Sequence, residues 1–269
     1  MSDDLVPDDL WERIAPLLPS RPPRRHRYPG RLPADDRAAL RGIVHVLRKN
    51  VSRRNAPAEL TGCRGVTARR RLRDRTEAGV WLCLHEVLLA ELRKAGLLDM
   101  DDCAIDGSHI RPLGSGAHTG SSPAGRARPG SRHHLIVDRH GTPLAVTLTG
   151  GSRHDVTRLT PLLDAIARIR GMRGRPRHRP SRLLADRGYA DDKYRRILRA
   201  RGIAPKIARR GVPHGSGLGK TRWAIERSFA WLHQFKRLRI RYEIRADLHL
   251  GLFRIACGII CLRRLQTSF

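Results

Sequence analysis

The chain has 269 residues, 40% of them hydrophobic, with 54 Lys and Arg against 25 Asp and Glu and a formal net charge of +29. That length supports one sizeable core, or a core with a small accessory domain. The five cysteines (Cys63, Cys83, Cys103, Cys257 and Cys261) are odd in number and form no CxxC pair, which excludes a disulfide framework and a zinc site and points to a reduced cytoplasmic setting.

So basic a chain repels itself unless a polyanion neutralises it, and nucleic acid is the natural partner because each Lys or Arg on a phosphate releases condensed counterions. Only six of the basic residues are lysine. Arginine grips phosphate oxygens in pairs, although a biased genome would also supply arginine. The acidic N-terminus MSDDLVPDDLWERI lacks a signal-peptide core. The most apolar stretch, Leu248 to Leu262, is too short to span a bilayer.

Taken in chain order, residues 3 to about 98 read as helical. Asp8 or Asp9 can cap a helix carrying Leu10, Trp11, Ile14, Leu17 and Leu18, which Pro19 ends. The basic, Pro-rich stretch SRPPRRHRYPGRLP follows as a linker. Asp35 or Asp36 opens a second helix with Leu40, Ile43, Val44 and Leu47 on one stripe. A turn containing Gly62 and Gly65 then leads into VTARRRLRDRTEAG, with Thr67 as its cap. Arg69, Arg70, Arg71, Arg73 and Arg75 crowd this helix. The pattern fits a helix-turn-helix, and equally a solvated basic helix. A longer helix runs from Val80 to Lys94.

Strand patterns begin near Leu98. MDDCAIDGSHI is a short strand ending in polar residues, and residues 112 to 131 are a Gly-, Ser- and Pro-rich loop. HHLIVD and PLAVTLTG are strands joined by a hairpin turn at RHGT. Asp155 caps a helix over Leu159, Leu162, Leu163 and Ile166. After the basic loop GMRGRPRHRPSR come the strand SRLLAD, a helix from Asp191 and the short strand GIAPKIA. A third basic loop follows at 209–219. Helices from about Lys220 to Lys236 and Leu248 to Leu265 complete the chain. Strands followed by alternating strand and helix predict an α/β layer with helices on both faces.

Three acidic residues stand out by position. Asp106 closes the first strand of the second half, Asp186 closes SRLLAD, and Glu226 lies in the helix KTRWAIERSFAWLHQFK. Carboxylates at strand ends converge at one sheet edge, and a helix packed there supplies a third. Such a set suits two Mg²⁺ ions, hard cations that prefer oxygen, placed for phosphodiester displacement. Each of the three can equally be a cap or the partner of one of many arginines. Arg222 shares a helical face with Glu226, either to salt-bridge it or to orient it and bind phosphate. HGSGLGKT fails the P-loop spacing, since His214 stands where the first glycine belongs. His154-Asp155 reads as a loop histidine beside a capping aspartate, because no nucleophile motif accompanies it.

These motifs resemble the DDE transposases of bacterial insertion sequences, in the IS-five-like group. DDLWERIAPLLP, DDRAALRGIVHVLR and RTEAGVW look like that family's N-terminal helical domain. IDGSHIRP, GAHTGSSP, HHLIVDRHGTPLAVTLTGGSRHD, LLADRGYADDKYRR, ARRGVPHGSGLGKTRW and IERSFAWLHQFKRLRIRYE look like its catalytic domain, in order. The resemblance implies an RNase H-like mixed sheet flanked by helices, preceded by an all-α, helix-turn-helix-like domain, with residues 1–98 recognising transposon ends and 99–269 catalytic. It implies Asp106, Asp186 and Glu226 as catalytic triad and ligands of Mg²⁺ or Mn²⁺, two ions per site. Two departures stand out: Gly219 and His233 occupy positions where a related pattern has Tyr and Lys, and Lys236 is the substitute DNA contact. The residues expected on DNA are therefore Arg69, Arg70, Arg71, Arg73, Arg222 and Lys236. The expected partners are double-stranded DNA, as terminal inverted repeats and as target, and a second copy of the chain in a dimer or larger assembly. The alternatives are a DNA-binding protein without catalysis and a nuclease without strand transfer.

Overall fold

The computed structural model describes residues 4–21, 23, 26–27, 31–121, 128–208 and 218–267, without the side chains of 218–222. The first five helices are α1 (Asp8–Ile14), α2 (Asp36–Lys49), α3 (Ala58–Thr61), α4 (Gly65–Glu77) and α5 (Val80–Lys94). Asp35 caps α2 as expected, its side chain accepting from the Ala38 N–H. Thr67 does not cap α4. That helix starts three residues earlier, with Arg64 at its N-cap, and Gly65 docks where a Cβ would lie 1.8 Å from the Arg53 carbonyl oxygen.

The strands are β1 (Asp102–Pro112), β2 (Gly120–Ser121), β3 (Pro129–Val137), β4 (Pro143–Gly150), β5 (Arg182–Ala185), β6 (Ala204–Ile207) and β7 (Ile240–Arg241). β4, β3 and β1 pair antiparallel, while β5 and β6 continue the sheet parallel to β1. The central order β4-β3-β1-β5-β6 is an RNase H-like mixed sheet. Short β2 extends it against the start of β3 and β7 against the end of β1. Consecutive buried residues at 102–105, 133–137 and 143–146 show that both faces are covered. The covering helices are α6 (Leu159–Asp164), α7 (Asp192–Ala200), α8 (Leu218–Gln234) and α9 (Ala246–Gln266).

Three expectations change. Residues 112–131 are not all loop, since β2 and the first part of β3 fall there. Asp106 does not close a strand; it lies in the middle of the eleven-residue β1. Asp155 does not cap a helix. It starts a 3-10 turn, Asp155–Arg158, and its carboxylate is taken by Arg132 of β3. The hairpin stands: Asp138 Oδ1 accepts from the N–H groups of His140 and Thr142, and Gly141 turns the chain at φ +84°.

One contiguous core runs from Leu5 to Leu265. Its seam is α5 against α9, where Gly251 and Gly258 let Trp81 and Leu84 approach the α9 backbone. The N-terminal helices therefore share their apolar interior with the layer over the sheet. Among the described residues no helix is long and apolar enough to cross a membrane.

Candidate active site

The register of β1 on β5 decides where the first two carboxylates stand. Ala104 pairs with Leu184 in parallel register. Two residues further on, in phase with the pleat, come Asp106 and Asp186. Both aspartates thus lie just beyond the same end of the β1–β5 ladder. The β1–β5 ladder ends at Ala104, while β1 stays with β3 beyond it, Asp106 pairing with Leu135. Asp186 follows the last residue of β5 and caps the 3-10 turn Arg187–Tyr189, its Oδ1 accepting from the Gly188 N–H at 2.8 Å. Asp106 Oδ1 accepts from the Gly107 N–H at 2.7 Å. Both carboxylates are half-buried, each oriented by a backbone donor, at the edge where the sheet opens.

Glu226 lies on the exposed side of α8. That helix is fixed to the β3–β4 turn by Ser228, whose Oγ donates to the Gly141 carbonyl at 2.7 Å, and by Arg227, which donates to the His140 carbonyl. The Arg222 side chain and residues 209–217, with most of the third basic loop and of the HGSGLGKT string, lie outside the described residues. Among the described residues no three His, Cys, Asp or Glu side chains already stand close enough to hold an ion.

A third carboxylate, read from the sequence only as a cap, comes close to the segment that carries Asp106. Asp155 sits over Gly107, where a Cβ would come within 2.8 Å of its Oδ1. Arg132 Nη1 holds the same oxygen at 2.5 Å. Burial pushes the Asp155 carboxyl upward, Arg132 opposes this, and the Asp186 carboxylate adds to the rise. No periodicity or spacing could have found it, because the contact joins β1, β3 and the segment after β4.

The arginine helix is sorted by its packing. Arg69, Arg70 and Arg73 are exposed, with Arg73 paired to Asp74 at 2.8 Å. Arg71 is half-buried, 3.6 Å from Asp36, and Arg75 is buried on the same Asp36 at 2.9 Å. Lys236 is exposed at the start of a 3-10 turn after α8. All five cysteines are free thiols.

The model of the transposase DDE domain matches residues 98–261. The chain belongs to the DDE transposase family. A second model, for transposases of the IS4/5 family, matches residues 6–85 of this DDE transposase. It is 56% identical, over 150 residues covering 56% of this chain and 71% of the relative, to a Burkholderia cepacia transposase for insertion sequence element IS402. It is also 49% identical, over 46% of this chain and 84% of the relative, to an uncharacterized 16.2 kDa protein of the same element. These matches place it among the transposases of insertion sequences. Among solved structures, the Mos1 strand transfer complex aligns with 92% of this chain and 78% of the other, at 12% identity and a TM-score of 0.34.

Membership in this family implies use of a divalent metal ion. The donor chemistry fits: the carboxylates of Asp106 and Asp186 offer oxygen atoms of the kind hard cations prefer.

Proposed function

We propose that this transposase binds the terminal inverted repeats of its own element and catalyses DNA strand cleavage and strand transfer, with Asp106, Asp186 and Glu226 holding Mg²⁺ or Mn²⁺. The observation that supports the reading best is the β1–β5 register, whose last pair, Ala104 with Leu184, comes two residues before each aspartate. Ions held by these three carboxylates would supply an activated attacking oxygen and neutralise charge on the leaving oxygen. The chain's own residues do the rest. The Gly107 and Gly188 amides orient the two aspartates. Glu226, exposed on α8, completes the set once ion and DNA are bound.

In this reading residues 1–98 recognise the transposon end and 99–269 carry the chemistry. The exposed Arg69, Arg70 and Arg73, with Arg71 beside them, follow the DNA backbone, and Arg222 and Lys236 contact DNA next to the site. Holding two ends together requires a dimer or larger assembly on DNA, working in the cytoplasm at the nucleoid. The test is a supercoiled donor plasmid carrying the inverted repeats, incubated with the full chain and Mg²⁺. Nicked ends and joined products are expected. DNA shifted but never nicked would make the protein a binder alone, and cleaved ends without joined product would make it a nuclease.

A further inference from the structure

Positive charge gathers in a cleft between α8, the end of α9 and the β3–β4 turn. The cleft encloses about 510 Å³, and its walls include Arg227, Trp231 and Gln234 of α8, Arg263 and Arg264 of α9, and His140 of the turn. Arg227 Nη2 and Arg264 Nη1 donate to the same oxygen, the His140 carbonyl, the second at 3.3 Å. Two guanidinium groups therefore converge on one neutral acceptor, and Arg263 lines the same space. Among the described residues no acidic side chain lines it. The carboxylate of the turn itself, Asp138, is buried and accepts from the amides of His140, Thr142 and Asp99.

The arginines are also held in place. The Arg227 guanidinium stacks between two indole rings of its own helix, its Cζ 3.9 Å from the centre of the Trp223 ring and 4.6 Å from that of Trp231. The Arg263 guanidinium lies over Phe235, 5.7 Å from the ring centre. Stacking on an aromatic face favours a guanidinium and fixes its plane, so less side-chain freedom is lost when it binds an anion. Converging, oriented guanidinium groups with no carboxylate among them suit phosphate oxygens, which arginine takes in pairs.

We infer that this cleft is a further DNA contact, in which Arg227, Arg263 and Arg264 take backbone phosphates of double-stranded DNA whatever its sequence. The inference rests on the reading of the chain as a DNA-binding transposase, and it adds a surface apart from the α4 arginines and Lys236. Arg227 follows Glu226 on α8, so DNA held here runs beside the residue proposed to complete the active site.

The test is arginine modification by phenylglyoxal, mapped by mass spectrometry on the full chain with and without a short duplex. Arg263 and Arg264 should react several-fold more slowly when the duplex is bound. In binding titrations, Arg263→Gln combined with Arg264→Gln should lower the slope of log affinity against log salt by about one for each arginine lost. The loss should be the same for a duplex carrying the inverted repeats and for one without them, and a loss confined to one of the two would overturn a sequence-blind grip on the backbone. Footprinting of the unaltered chain decides the matter if the double variant does not fold. Protection of Arg69 and Arg70 while Arg263 and Arg264 react alike with and without DNA would overturn the role of the cleft and leave the DNA-binding reading standing. A parent chain that binds neither duplex would bring down that reading itself.

Discussion

His85 shows how one buried ionisable side chain ties stability to pH. It lies on α5, 3% exposed, with its Nε2–H donating to the Pro143 carbonyl at 2.8 Å. Burial pushes its pKa from the ordinary 6.5 to about 4. The unfolded chain takes up the proton first, so the contribution of the neutral ring is complete above pH 6.5 and is lost as pH falls through 4. A difference of that size is worth on the order of 3 kcal/mol. Denaturant midpoints measured between pH 7 and 4 should therefore fall less steeply for His85→Gln than for the parent; identical slopes would contradict this. At the site, Asp106→Ala should reduce donor-plasmid nicking by about 10³-fold or more, since metal charge stabilisation is worth several kcal/mol. Asp106 and Asp186 stood out in the sequence because each follows a run of strand formers. Asp155 did not, because its environment comes from a residue 48 positions away in the chain, Gly107.

At the scale of elements, α4 carries the clearest consequence. Its arginines were visible as a basic helix, but their division of labour was not. Docking against α2 turns Ala68, Leu72 and Arg75 inward and leaves Arg69, Arg70 and Arg73 outward. Arg70→Ala should lower the slope of log affinity against log salt by about one in DNA-binding titrations, weakening all sequences alike if the residue meets phosphate. An unchanged slope would remove Arg70 from the interface. The start of the same helix depends on Gly65. Gly65→Ala places a methyl group 1.8 Å from the Arg53 carbonyl oxygen, and backbone there cannot yield cheaply. A loss of about 1–3 kcal/mol is expected in equilibrium unfolding, typical of overpacked sites.

Across the whole molecule, a buried polar network joins the N-terminal helical region to the sheet. Glu243 Oε1 pairs with Arg53 at 2.8 Å and Arg237 at 3.0 Å, and its Oε2 lies 3.2 Å from His249 Nδ1. The other nitrogen of His249 meets His133 of β3 at 2.8 Å. Burial raises the Glu243 carboxyl, but the His249 hydrogen bond and the charges of Arg237 and Arg53 hold it at about 2. Glu243→Gln would leave the buried Arg237 and the half-buried Arg53 without their counter-charge, a change expected to cost about 3–5 kcal/mol by thermal melting. The shared core makes a further prediction. Residues 99–269 alone would expose the α9 face that α5 covers, so that fragment should fail to fold while the full chain unfolds in one cooperative transition. Two separate transitions would show independent domains.

Local chemistry sufficed for much of this protein. Apolar spacing set the helices Asp36–Lys49 and Val80–Lys94, and the hairpin followed from two strand runs around a turn. These are effects of residues within one turn or one hairpin of each other, and they are written in adjacent positions. The register of β1 on β5, the burial of Arg75 rather than Arg70, and the docking of Asp155 over Gly107 were decided only by tertiary packing. Each depends on which surfaces bury together, and that free energy belongs to pairs of segments, not to either segment read alone.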